Sequence, residues 1–261
     1  MRGKNTLKSG TARNNISGKK KYISLVILLV LFALLLFKSM QPMQTFHETK
    51  GILTTIWHYN NFTTEFYCKA PFRITENGIK LIESSNYTPR RPLTKKQTIN
   101  ERTRIIEFEH IMPAHNFGQH LSCWQKGGRK ACKNDKTFSR MEADPHNLVP
   151  AIGEINGDRS NFRYAEAPKN IVYGQYGNCK VYTDFKAKRF YPANYSKGLI
   201  ARTYLYMSKT YNIRLSEQER KLMEAWDKMY PKDEYEMARD RAISQIPFWK
   251  IFYSIRDMMG I

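Results

Sequence analysis

The sequence predicts an α+β protein preceded by one N-terminal hydrophobic helix, and three patterns predict it. An apolar run without charge, 22–37, stands near the start of the chain. Around residue 106, apolar and acidic residues alternate with the two-residue period of a strand. Toward the C-terminus, apolar positions recur at helical spacing behind a capping signal.

Residues 1–21 carry seven cations, no acid, and several Gly, Ser and Asn; they read as a disordered basic tail. The run YISLVILLVLFALLLF follows, and 22–38 read as a signal-anchor. About 16 residues at ~1.5 Å each cover ~24 Å, slightly short of a ~30 Å hydrocarbon core, and Lys21 and Lys38 can snorkel to the interfaces. The preceding cations orient the N-terminus to the cytoplasm and the rest of the chain outside it. The alternative is secretion after signal cleavage; a long basic segment and the lack of an A-x-A site count against it.

Residues 39–47 read as a linker, and 48–261 as one domain. Ile52, Ile56 and Trp57 predict a short helix over 48–59. Phe62 to Phe72 is aromatic and favours strand. Pro89, Arg90, Arg91 and Pro92 mark 86–96 as a loop. The clearest strand is 102–110, with Ile106 and Phe108 on one face and Glu107 and Glu109 on the other, ended by Pro113. Residues 118–135 read as irregular. A helix is expected over 148–158, with Asn147 as N-cap and Pro150 tolerated in its first turn. Another strand is expected over 179–185 and a helix over 199–211. Ser216 and Glu219 form a capping box ahead of Leu222, Met223, Trp226 and Met229, which read as core. A last helix runs from about 233 to 246 and ends at Pro247.

The formal net charge is +20; the eight cations of residues 1–38 account for part of it, leaving +12 on the remainder. Such an excess favours a polyanionic partner, nucleic acid first and an acidic membrane surface second. Cys68, Cys123, Cys132 and Cys179 form no CxxC and no zinc-finger spacing. In an exported chain they predict two disulfides, with three connectivities open.

The chemistry-bearing residues are individually weak signals. In Glu109-His110 an imidazole able to take a proton near neutral pH adjoins a carboxylate able to hold Mg²⁺. Asn156 offers a hard neutral oxygen, but beside Gly157 it equally reads as a helix C-cap. Arg129, in Lys126-Gly127-Gly128-Arg129-Lys130, could clamp phosphate or sit in a solvated basic loop. His110, His115 and His120, spaced by five, share no helix face, so a zinc triad is not indicated.

Taken in order, several blocks resemble the bacterial endonuclease I family, extracytoplasmic non-specific nucleases with a ββα-metal site. They are 104–114 (RIIEFEHIMPA), Phe117-Gly118, 123–129 (CWQKGGR), 141–144 (MEAD), 146–161, 176–179 (YGNC), 200–204 (IARTY) and 225–228 (AWDK). The resemblance covers about 48–246. It implies a ββα-metal nuclease core with flanking helices and a basic cleft. It implies His110 as general base, Glu109 and Asn156 as the protein ligands of one Mg²⁺, and Arg129 as the residue that holds phosphate. Lys126, Lys130, Arg159 and Arg163 are positioned to add contacts to nucleic acid. The expected substrate is DNA, with RNA as a further one; the second partner is the membrane, through the N-terminal helix.

Departures from the family pattern are local. Where the family often has Cys-x-Cys, this chain reads Cys68-Lys69-Ala70, and a further cysteine near Ser85 is missing too. The tail 245–249, QIPFW, also departs from the usual Gln-Gly-Asn-containing end. A rival function is a membrane-tethered, non-catalytic DNA-binding or uptake protein. The joint presence of Glu109, His110, Arg129 and Asn156 favours the enzyme, because binding alone needs no base beside a metal ligand.

Overall fold

The computed structural model describes residues 11–259. In chain order the elements are α1 (Thr11–Met40), α2 (Phe46–Tyr59), β1 (Phe72–Thr75), β2 (Gly78–Leu81), β3 (Ile106–His110), α3 (Ala114–Gly118), α4 (Ser122–Gln125), α5 (Gly128–Ala131), α6 (Lys136–Glu142), β4 (Leu148–Ile152) and α7 (Gly153–Arg159). There follow β5 (Arg163–Tyr164), β6 (Tyr182–Asp184), β7 (Arg189–Tyr191), α8 (Asn194–Tyr211), α9 (Glu217–Met229), α10 (Glu234–Ser244) and α11 (Ile246–Met259). The fold is α+β, with long helices at the C-terminal end and three small sheets.

The chain divides into two compact units. One is Pro42–Ile246; the other joins the described parts of Met1–Gln41 and Pro247–Ile261. In the second unit, α1 includes a stretch, Lys21–Met40, long and apolar enough by length and composition to cross a membrane. The expected basic tail lies partly outside the described residues; from Thr11 onward it is helical and continuous with the apolar stretch.

The larger unit is organised on a ββα hairpin. Strands β3 and β4 pair antiparallel, with Glu109 opposite Val149 and His110 opposite Leu148, and α7 starts immediately after β4. This corrects the expectation of a continuous helix over 148–158: its first five residues are strand. All five are buried, and an unbroken apolar run of that length has no periodicity to separate a core strand from a helix. Pro150 is accepted because a two-stranded ladder leaves one edge of β4 without a strand partner. Its carbonyl instead accepts the Phe66 N–H. Asn147 is therefore no N-cap. Its buried amide accepts from the Met112 N–H and donates to the Met112 carbonyl, pinning the exit of β3. The turn from strand straight into helix requires Gly153, where a Cβ would meet the Arg102 carbonyl and Glu107 Oε1, each at 2.9 Å.

The hairpin is held from outside by aromatic packing. Trp57 of α2 stacks on Phe108 with centroids 4.7 Å apart, and Phe66, Phe72 and Phe190 are fully buried nearby in the core. Two disulfides realise one of the three open connectivities, Cys68–Cys179 and Cys123–Cys132. The Ser216 half of the predicted capping box is present, its hydroxyl accepting from the Glu219 N–H, and Met223 and Trp226 are buried beyond it. Of the other two residues expected there as core, Leu222 is half-buried and Met229 is exposed.

Several local expectations fail. The aromatic stretch 62–72 forms only an isolated bridge, Thr64–Pro71, before β1. The 118–135 segment contains two single-turn helices, α4 and α5, rather than irregular chain. The 179–185 strand is shortened to β6, and α8 starts five residues before 199. Pro247 does not end helical structure; it lies in the first turn of α11, where its missing N–H costs nothing.

Candidate active site

Everything named as a candidate catalytic or metal-binding group belongs to the ββα hairpin or to the segment joining its strands. His110 closes β3. Its ring lies against Phe46 and Phe117, with centroids 4.8 and 6.0 Å away. Its Nε2 is 2.8 Å from the Glu142 carbonyl oxygen. A carbonyl can only accept, so Nε2 carries the proton and Nδ1 of the neutral ring is left as an acceptor. Burial pushes the imidazole down to about 4, helped by the positive charges of Arg129 and Arg159 and opposed by the Glu142 carbonyl. The ring is thus neutral over the physiological range.

Arg129 approaches from the loop closed by Cys123–Cys132. Its Nε donates to Glu142 Oε1 at 2.6 Å, and about half of the side chain is open to solvent. Glu142, the last residue of α6, therefore does two things: its backbone carbonyl fixes the His110 tautomer and its carboxylate aims the Arg129 guanidinium. Sequence reasoning missed it, because nothing local ties residue 142 to residues 110 and 129.

Glu109 points among different neighbours. It is 3% exposed; its Oε1 accepts from the Tyr67 hydroxyl at 2.8 Å and pairs with Arg159 Nη1 at 3.1 Å. Burial pushes its carboxyl up to about 7, with Arg159 and Tyr67 opposing the rise. The Tyr67 hydroxyl also meets that of Tyr164 at 2.7 Å, and Arg159 lies over the Tyr164 ring. Tyr67 and Tyr164 were not foreseen: they lie 42 and 55 residues from Glu109 in sequence, and only the fold joins them.

Arg159 must be reassigned. It was expected to contact nucleic acid, but it is 1% exposed. Its guanidinium donates to the carbonyls of His110 and Ile111 and pairs with Glu109, so nothing of it faces a polyanion. The spacing did hold a clue, since Arg159 falls one turn after Asn156 on α7. Lys126, Lys130 and Arg163 are exposed.

Asn156 lies within α7, not at its end; Ser160, with φ of 53°, takes the C-cap position. The cap reading of Asn156 thus fails. Its Nδ2 donates to Glu107 Oε2 at 2.9 Å, and the Arg102 guanidinium grips Glu107 from the other side. A carboxylate cannot donate to an amide oxygen, so this bond orients Asn156 and leaves its Oδ1 as the outward acceptor. One carboxylate and one amide oxygen are hard donors suited to a divalent ion that keeps most of its waters. Among the described residues no three His, Cys, Asp or Glu side chains gather as a metal site, so such an ion would depend on these two oxygens and water.

Comparison with known proteins gives the arrangement a lineage. The family model for Endonuclease I matches residues 45–248. A periplasmic deoxyribonuclease of Aeromonas hydrophila is 42% identical over 210 residues, covering 79% of this chain and 83% of its own. An extracellular deoxyribonuclease of the same organism is 44% identical over 207 residues, covering 78% and 84%. Endonuclease-1 of Buchnera aphidicola subsp. Acyrthosiphon pisum (strain APS) is 43% identical over 207 residues, covering 79% and 78%. With a ββα hairpin carrying Glu109, His110 and Asn156, and this match across most of its length, the chain belongs to the endonuclease I family and is an endonuclease.

Proposed function

We propose that this enzyme hydrolyses phosphodiester bonds of DNA, and also of RNA, without sequence preference, leaving 5′-phosphate and 3′-hydroxyl ends. The observation that carries the reading is the bond between His110 Nε2 and the Glu142 carbonyl. It leaves Nδ1 unprotonated on a neutral ring, the state a general base requires. Nδ1 takes a proton from water as the water oxygen bonds to phosphorus. The P–O3′ bond breaks on the opposite side, and the departing 3′ oxygen is protonated from solvent.

Arg129 has five N–H donors, and Glu142 uses one, so the guanidinium can still grip a phosphate oxygen pair. Glu109 and the Asn156 amide oxygen would hold one Mg²⁺, which when bound supplies positive charge against the phosphate and the leaving oxygen. Lys126, Lys130 and Arg163 extend phosphate contact along the strand, and phosphate contacts without base reading give cleavage without sequence preference. The named activities of the Aeromonas relatives support DNA as substrate.

Two disulfides fit an oxidising compartment, and the same relatives are described as periplasmic or extracellular. We therefore place the nuclease unit outside the cytoplasm, anchored through α1 with its N-terminus inside; release by signal cleavage is the other outcome.

The test uses the full chain in detergent on supercoiled plasmid with Mg²⁺. His110→Ala is expected to cut ~10²–10⁴-fold more slowly while retarding plasmid in a gel as the parent does. EDTA is expected to stop the parent enzyme. Full activity in the variant would falsify the base assignment, and EDTA-resistant cleavage would reject the metal.

A further inference from the structure

We propose that α11 is an interfacial membrane helix, lying in the surface of the same bilayer that takes α1. Three observations converge on it. First, α11 presents an apolar stripe to solvent. Phe248, Phe252, Ile255 and Met259 recur at spacings of four, three and four, so they stand one above another on one helix face. Together with Met258 they are between 38% and 67% exposed. Lys250, Ser254 and Asp257 occupy the opposite face. Five large exposed apolar groups along one helix are not the scattered surface residues of an ordinary soluble domain.

Second, α11 shares a compact unit with the apolar helix α1. Lys250 Nζ donates to the carbonyl of Gln41, the residue just past the end of α1, at 2.8 Å. If α1 spans, Gln41 marks the level where the chain leaves the hydrocarbon. The first turns of α11 are then held at the headgroup boundary. Third, the endonuclease I match ends at residue 248, so nearly all of α11 and all of α1 lie outside the catalytic family core. The two segments added to that core each expose a run of large apolar side chains along one helix, and they group together.

The length of α11 decides its mode. Its 14 residues reach ~21 Å, too short for a ~30 Å hydrocarbon core, so the helix lies on the membrane rather than across it. Arg256, partly exposed at the edge of the stripe, can meet anionic headgroups. The occupant is the bilayer because the face begins where the span ends.

This inference rests on the reading of α1 as an uncleaved anchor, and the experiment separates the two. The chain has no free cysteine among the described residues. Full-length variants F252C, D257C and I27C, each carrying an environment-sensitive fluorophore, are reconstituted in phosphatidylethanolamine–phosphatidylglycerol vesicles. The label of F252C should emit to the blue and be quenched by lipid nitroxides placed high on the acyl chain. The label of D257C should stay open to aqueous iodide, and that of I27C should be quenched by nitroxides deep in the chain. If I27C is quenched deeply but F252C behaves like D257C, the interfacial helix is rejected and the anchor stands. Water-exposed I27C rejects the anchor reading and this inference with it. A blue-shifted F252C label that lipid nitroxides do not quench, with disulfide dimers formed by the unlabelled variant, assigns the face to a second copy and overturns the proposal.

Discussion

Arg159 shows how one side chain can hold a site without touching substrate. It ties the backbone end of β3 to the Glu109 carboxylate inside the core. Replacing it by Met leaves a buried acid without its cation, at a cost of about 3–5 kcal/mol. A correspondingly large drop in the denaturant midpoint is expected, and an unchanged midpoint would remove Arg159 from this role. Asp144 makes a pH-dependent contribution. Burial opposes its ionisation, but the His146 imidazole and backbone N–H and the Tyr211 hydroxyl outweigh it, holding the carboxyl below its ordinary value. A depressed folded pKa stabilises the protein above the unfolded value, about 4, and that contribution is lost as pH falls through the lower folded value. Asp144→Asn should therefore lower Tm at pH 7 by more than at pH 3; equal losses at both would contradict the linkage.

At the scale of elements, α7 is the part that converts packing into chemistry. Its Gly157 lies against the Arg102 guanidinium that grips Glu107, and Glu107 in turn orients Asn156. A methyl at 157 pushes the flexible, half-exposed end of Arg102 aside rather than any backbone. Gly157→Ala is thus expected to change Tm little, since Ala favours helix, yet to lower cleavage several-fold. The pair of measurements separates a site effect from a folding effect. In α9, by contrast, Ser216→Ala removes an N-cap and should cost about 1 kcal/mol, read as a small fall in the denaturant midpoint.

For the whole molecule, the proposed phosphate contacts predict a salt dependence of DNA binding. If the exposed Lys126, Arg129, Lys130 and Arg163 neutralise four phosphates, as proposed, the salt slope is about −3.6, roughly a 10²-fold loss of affinity between ~50 and ~200 mM salt. Lys130→Ala should reduce that slope by about one without altering which sequences are cut. A salt-independent affinity would assign the excess charge to another partner, such as the membrane surface.

Legible in the chain alone were the α+β class, the apolar N-terminal helix, the 106–110 part of the strand expected over 102–110, the Ser216 cap and the run of blocks that carries the family resemblance. These are local matters: periodicity, capping chemistry and contiguous motifs are written in neighbouring residues. It could not separate strand from helix at 148–152, because a fully buried run has no polar face to give a period. Nor could it choose the cysteine pairs, retire Arg159 from the surface, or find Glu142, Tyr67 and Tyr164. Burial and hydrogen-bond partnership belong to residues tens of positions apart, and only the folded chain decides which of them meet.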